Sequence, residues 1–278
     1  PPPISRGSVS RLRTGLSEFV RGRTPSEAMA LLEGIGNLEA EYLLHLHADW
    51  MAWARDDQLP PDPADHPWRT WVILGGRGAG KTRAGAEWIR ALALGRPPYD
   101  ATPAARIALV GETLGDVRRV MIEGVSGILA VHEDVERPVW EPSRGQLTWP
   151  NGSIAQCFSA LEPDGLRGPQ FDAAWCDELA KWPEPERTWD MLQFALRLGA
   201  APRQVVTTTP RPIPLLKQIL ADALTVITQA RTTDNAVNLA PGFVAEMQRR
   251  YGDTPIGRQE LEGEIVEERM TGLWKRAG

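Results

Sequence analysis

Hydrophobic and polar positions along this chain follow two periods, and the places where one gives way to the other predict its elements. From Ser26 the apolar residues Ala28, Leu31, Leu32, Ile35, Tyr42, Leu43, Leu44, Leu46, Trp50 and Trp53 recur at spacings of three and four, which predicts one or two amphipathic helices. Ahead of them, residues 1–24 are rich in Pro, Ser, Arg and Gly and read as a loosely held arm. Behind them, DDQLPPDPADHPW (56–68) is a proline-rich connector. The run Trp71-Val72-Ile73-Leu74 then reads as a buried strand, followed by a glycine-rich turn and a helix over about 81–94 that Gly95 and Pro97-Pro98 end.

Beyond that helix the same alternation continues. Residues 106–111 and 171–176 are short apolar runs that predict further strands, 203–210 reads as a strand that stops in a hydroxyl cluster, and 224–228 is a further strand candidate. Residues 114–130 are helical by spacing, with Val117, Val120, Met121, Val125, Ile128 and Leu129 on the apolar side, and residues 215–223 are helical too. In QLTWPNGSIAQCF (146–158) the Asn151-Gly152 pair sits between alternating apolar residues, a strong hairpin signal. The tail, 241–268, is helical and charged, and there is no internal repeat. Strands alternating with helices imply an α/β fold, a mostly parallel sheet with helices on both faces, preceded by a small helical N-terminal subdomain. The boundaries drawn are 1–65 for the arm and helical subdomain, 66–270 for the core with its helical tail, and 271–278 for the start of a linker.

Composition narrows this little. A chain of 278 residues with 42% hydrophobic and 24% charged residues can bury a large core. No apolar run approaches the ~20 residues that a membrane span needs, and the N-terminus lacks the apolar stretch of a secretory signal. Cys157 and Cys176 lack metal-ligand spacing and read as small buried hydrophobes in a reducing cytosol. A net charge of −5 argues against a uniformly basic nucleic-acid surface but leaves room for a local basic track. The basic residues are nearly all arginine, with Lys81, Lys181, Lys217 and Lys275 the exceptions, and no mechanism follows from that skew.

The chemistry lies at the carboxyl ends of the expected strands, where ligands of such sheets bind. Gly75-Gly76-Arg77-Gly78-Ala79-Gly80-Lys81-Thr82 fits G-x-x-x-x-G-K-[ST] between a strand and a helix, the context of a phosphate-binding P-loop. Its glycines let backbone amides approach an anion, and the helix adds the positive end of its dipole. Lys81 would reach the β- and γ-phosphates of a nucleoside triphosphate, and Thr82 would place its hydroxyl on Mg2+. Asp177-Glu178 closes an apolar run as a Walker B strand does, with Asp177 for the metal and Glu178 to orient or deprotonate the attacking water. Thr207-Thr208-Thr209-Pro210 ends another strand, where hydroxyls can sense phosphate or bond to Glu178. Arg167, in Gly165-Leu166-Arg167-Gly168-Pro169, is a candidate arginine finger for a neighbouring subunit, with Arg77 as its rival. Gln58 is a candidate for the adenine edge. The guanine-reading N-K-x-D motif is absent, and adjacent acids lean towards an ATPase that couples hydrolysis to motion.

The set GGRGAGKT, GLRG, AAWCDE and TTTP, in this order, resembles the large terminase subunit of tailed bacteriophages. More narrowly, WARDDQLPP ahead of WRTWVILGGRGAGKTRAGAEW is similar to the version found in phage-like gene transfer agents. The resemblance covers the chain from about residue 45. It implies a P-loop ATPase of the additional-strand catalytic-glutamate type that uses ATP and Mg2+ to pump double-stranded DNA into a procapsid. The implied partners are the portal protein, the small terminase subunit and further copies of the chain in a ring, a pentamer on the portal or a monomer in solution. The implied setting is the bacterial host cytoplasm, transiently at the procapsid. In this resemblance Thr207, Thr208 and Thr209 form the motif coupling hydrolysis to movement, and Arg167 matches a trans-acting finger. Family members carry a C-terminal nuclease domain. No nuclease-type acidic triad follows Met270-Thr271-Gly272-Leu273-Trp274-Lys275-Arg276, so cleavage is not expected of this chain. Two other readings stay open, a helicase or other P-loop DNA-processing ATPase, and a nucleotide-gated assembly module.

Overall fold

The computed structural model describes residues 49–63, 66–96, 99 and 102–266, together with 26, 27 and 30. The expected arm, most of the helical pattern before Asp49 and the linker lie outside the described residues. The helix α1 (Trp50–Trp53) is capped by the Asp49 carboxylate, which accepts from the Met51 amide, and leads into a 3-10 turn at Asp56–Gln58. The glycine-rich loop joins β1 (Thr70–Gly75) to α2 (Lys81–Leu94), and β2 (Arg106–Gly111) follows. Next come α3 (Leu114–Asp116), α4 (Ile128–Val131), β3 (Val139–Glu141), β4 (Gln146–Thr148) and β5 (Ile154–Ser159). The chain continues through β6 (Ala173–Asp177), α5 (Pro185–Ala195), β7 (Arg203–Thr208), α6 (Pro214–Ala221) and β8 (Thr225–Ala230). It ends in α7 (Phe243–Tyr251) and α8 (Pro255–Glu260).

The strands form an eight-stranded sheet in the order β3-β4-β5-β2-β6-β7-β1-β8. From β5 to β8 every neighbour pair is parallel, while β3 and β4 fold back as an antiparallel edge. The hairpin read from Asn151-Gly152 is β4–β5, with Leu147 opposite Ala155. Strands buried on both faces read as continuous apolar runs, and their period of two divides the core. Trp71, Ile73, Ile107, Leu109, Trp175 and Val205 face α2 and α4 on one side. Val72, Leu74, Ala108, Val110, Cys176 and Val206 face α5 and α6 on the other. The strand β7 lies between the P-loop strand β1 and the acid strand β6, the insertion that defines the additional-strand class. Parallel direction then places Gly75, Asp177 and Thr208 along one edge, with Asp177 paired to Thr207 and Leu74 to Thr208.

Two expectations need correction, and one helix was not expected. The helix expected over 114–130 is broken: Val117–Ile122 is a π-helical turn, and the next helix begins only at Ile128. Gly124 and Gly127 carry the poorest helix propensity short of proline, and the wider turn shifts the phase of the pattern. Val117, Met121 and Ile128 are therefore buried as expected, whereas Val120 is exposed and Val125 almost fully so. The tail splits into α7 and α8, because Thr254 caps a new start by accepting from the Gly257 amide, with Pro255 in the first turn. The helix α5 was not anticipated, although Thr188, Leu192 and Ala195 bury a face at spacings of four and three.

Candidate nucleotide-binding and hydrolysis site

The P-loop takes its shape from donors that hold its carbonyls. Lys81 Nζ donates to the carbonyls of Gly75 and Gly76 at 2.9 and 3.1 Å. Thr232 Oγ1 donates to Arg77 O at 2.8 Å, Asn235 Nδ2 to Gly78 O at 2.7 Å, Arg55 Nη2 to Ala79 O at 2.6 Å and Gln58 Nε2 to Gly80 O at 3.2 Å. Two distant segments, 55–58 and 232–235, thus clasp one side of the loop, and Arg55 Nη1 links them by donating to Asn235 Oδ1 at 3.1 Å. A trans peptide points its N–H opposite to its C=O. The amides of Gly78, Gly80 and Lys81 therefore face away from the clasp, at the N-terminus of α2, where an anion is stabilised. Gly80 adopts φ +91, a left-handed conformation that starts the helix, and a Cβ there would fall 2.6 Å from Gln58 Nε2.

Opposite the loop stand the two acids. Lys81 is buried, its ammonium 3.7 Å from Glu178 Oε1 and 3.3 Å from Thr209 Oγ1, to which it donates. Burial pushes the Lys81 ammonium below its usual value, while Glu178 and Asp177 pull it back up. Burial raises the Asp177 carboxyl to about 6, and the neighbouring charge of Glu178 adds to the rise against the Thr207 hydroxyl and both lysines. Glu178 behaves oppositely: burial pushes it up, but Lys81, Lys181 and the Thr209 amide and hydroxyl together hold it below its ordinary range. Lys181 Nζ is 3.6 Å from Glu178 Oε2, and Thr209 donates to the same carboxylate from its amide at 3.2 Å and its hydroxyl at 3.3 Å. Glu178 has φ +48, the sole non-glycine residue with positive φ among the described residues. That conformation costs about 1–2 kcal/mol for an L-residue, and such strain concentrates where function requires an orientation.

The expected site residues divide into two groups. Gly75 to Thr82, Asp177, Glu178 and Thr209 converge on one pocket edge, with Thr82 half-buried in the first turn of α2. Thr207 donates to Asp177 Oδ1 at 2.6 Å, and Thr208 accepts from the Ala180 amide at 3.2 Å, so the three hydroxyls bond to the acid strand and its following turn. Gln58 is buried against Gly80, both ends of its amide being engaged within the chain. The side chains of the two arginines point elsewhere. Arg77 is 73% exposed and pairs with Glu260 at 3.2 Å. Arg167 is 66% exposed and pairs with Asp164 at 2.8 Å.

A family model described as "Terminase large subunit, T4likevirus-type, N-terminal" matches residues 72–277, most of the chain. The chain belongs to this terminase family. Solved structures agree on the fold. The large terminase of a thermophilic bacteriophage, solved in complex with ADP, aligns with a TM-score of 0.59 at 16% identity over 76% of this chain and 51% of that one. The ATPase domain of the Thermus phage P74-26 large terminase aligns with a TM-score of 0.56 at 18% identity, over 82% of this chain and 98% of that one. The HK97 bacteriophage large terminase gives 0.54 at 14% identity over 92% and 55%. This terminase chain therefore spans about half the length of the ADP-bound protein. No curated protein sequence matches it.

Sequence reasoning missed several residues of this terminase site. Arg55, Thr232 and Asn235 belong to no catalytic motif and act through contacts across 24 to 180 positions, whereas Lys181 pairs within its own turn. Lys181 alone left a signal, a rare lysine in an arginine-rich chain three residues after Glu178.

Proposed function

We propose that this chain is the ATPase motor domain of a terminase large subunit, hydrolysing ATP to drive double-stranded DNA through a portal into a procapsid. The observation that carries the reading is the meeting of Lys81, Glu178 and Thr209 at the mouth of the P-loop. Lys81 exchanges its carbonyl partners for β- and γ-phosphate oxygens, and the amides behind the clasp bind the remaining phosphate charge. Glu178, kept ionised by two lysines and Thr209, orients and deprotonates the attacking water. An acid as buried as Asp177 beside a second acid is costly without a cation, and one carboxylate with one hydroxyl is the sparse protein donor set that Mg2+ takes alongside phosphate oxygens. Among the described residues no cluster of three His, Cys, Asp or Glu forms a fuller cage. Asp177 and Thr82 would hold the ion, which neutralises phosphate charge when bound.

Arg167, exposed on its loop, is the finger offered to a neighbour's γ-phosphate in a homo-oligomeric ring, a pentamer on the portal, with Arg77 as the alternative. The ring works in the host-cell cytoplasm with the small terminase subunit. Steady-state ATP hydrolysis tests the reading. Glu178→Ala should lose about 100-fold or more in rate, as removal of a general base does, and an unchanged rate would overturn the assignment. Mixing Arg167→Ala with Lys81→Ala protein should restore activity, because some sites then combine both intact residues; no recovery at any concentration would remove the trans finger.

A further inference from the structure

Behind the acid pair lies a line of buried groups running back to the P-loop helix. Trp175, two residues before Asp177 on β6, is fully buried, and its Nε1 donates to Thr207 Oγ1 at 2.8 Å. Thr207 Oγ1 in turn donates to Asp177 Oδ1 at 2.6 Å. An indole N–H can only donate, and a hydroxyl carries one proton. With its acceptor side occupied by the indole, the hydroxyl turns that proton onto the carboxylate. The alternative acceptor, Cys176 O, is farther at 3.4 Å. The indole is itself placed by α2. A Cβ on Gly85 would fall 2.5 Å from Trp175 Cε2, 2.7 Å from Cζ2 and 2.8 Å from Nε1. Glycine at this position lets the helix that carries Lys81 rest directly on the ring.

We infer that Trp175 is a positioning residue for Asp177: through the Thr207 hydroxyl it fixes the carboxylate in the orientation that holds the nucleotide's magnesium, and Gly85 gears that indole to the P-loop helix. The inference rests on the reading of Asp177 as the metal-side acid. Its consequence is mechanical. Were phosphate binding at its N-terminus to displace α2 over β6, the movement would reach Asp177 through three contacts without passing through the ligand. Loop and acid then respond as one unit.

Binding of a fluorescent ADP to the whole chain, titrated with Mg2+ and repeated in EDTA, tests this. In the unaltered protein Mg2+ should tighten binding; if it does not, the assignment of Asp177 fails and the relay with it. Given that tightening, Trp175→Phe should raise the Mg2+ midpoint about tenfold, as loss of an outer-shell partner does, and leave affinity in EDTA unchanged. Thr207→Val should do the same and Thr207→Ser should not. The Trp175→Phe/Thr207→Val double should be no worse than Thr207→Val, since the two act through one hydroxyl. Should Trp175→Phe melt early, benzothienylalanine at position 175, which keeps the ring and replaces N–H by sulfur, gives the same comparison in an intact fold. A wild-type Mg2+ midpoint in either replacement, or additive losses in the double, would overturn the inference.

Discussion

Replacing Gln58 by Ala separates two roles for a side chain that touches the P-loop from outside. Its Nε2 donates to Gly80 O at 3.2 Å and its Oε1 accepts from the Arg55 amide at 3.3 Å. Both bonds are long and uncharged, each worth about 0.5–1.5 kcal/mol. Gly80 O keeps a second donor, the Ala84 amide at 3.2 Å, so truncation leaves no bare carbonyl there. The expected loss is therefore the lower sum, about 1–2 kcal/mol in the loop's phosphate-binding shape, or about 5- to 30-fold in nucleotide affinity. Because it acts through the backbone of the phosphate cradle, the loss should be equal for ATP, GTP and ITP. Equilibrium binding of the three to wild type, Gln58→Ala and Gln58→Glu measures it. A loss confined to ATP, with GTP and ITP unaffected, would refute this reasoning and return Gln58 to the adenine edge.

Other expectations follow from buried charge and hydrogen bonding. His132 is buried, its Nδ1 2.6 Å from Ile128 O and its Nε2 accepting from Trp149 Nε1 at 2.8 Å, and burial lowers its pKa from 6.5 to about 4. Between those values the unfolded chain binds the proton and the folded chain does not, so stability falls as pH drops from about 6.5 to 4, by about 3 kcal/mol in all. Chemical denaturation across that window should show this slope, and His132→Phe should flatten it; an unchanged slope would remove His132 as the cause. Glu87, 3% exposed, pairs with Arg83 at 2.6 Å and with the buried Arg90 at 3.3 Å. Glu87→Leu leaves buried cationic charge less compensated and should cost about 3 kcal/mol, read as a lowered denaturation midpoint; an unaltered midpoint would show that the other partner of Arg90, Glu136, which accepts from Arg90 Nε at 2.6 Å, suffices.

The parts legible in the sequence were those whose physics is local. A strand buried on both faces is largely apolar, so β1, β2 and β6 stood out, while β7 showed only Val205-Val206 ahead of its hydroxyl cluster, and Gly-x-x-x-x-Gly-Lys-Thr between strand and helix has one common use. Asn151-Gly152 marked its hairpin for the same reason. What escaped was non-local or depended on phase. The π-helical turn at Val117–Ile122 turned Val125 outward against its hydrophobicity. The clasp of Arg55, Gln58, Thr232 and Asn235 joins residues more than 150 positions apart by polar contacts that have no periodicity. The role of Thr207 could be guessed, but its proton's direction depends on the indole of Trp175, whose placement depends on Gly85.

On this account one magnesium–triphosphate complex sits between the loop amides around Lys81 and the carboxylates ending β6. A structure of the chain with Mg2+ and a non-hydrolysable ATP analogue tests it most directly. The Lys81 ammonium should have left the Gly75 and Gly76 carbonyls for phosphate oxygens, with the metal beside Asp177 and a water near Glu178. A nucleotide seated elsewhere, or a Lys81 still bonded to those two carbonyls with the analogue bound, would contradict it.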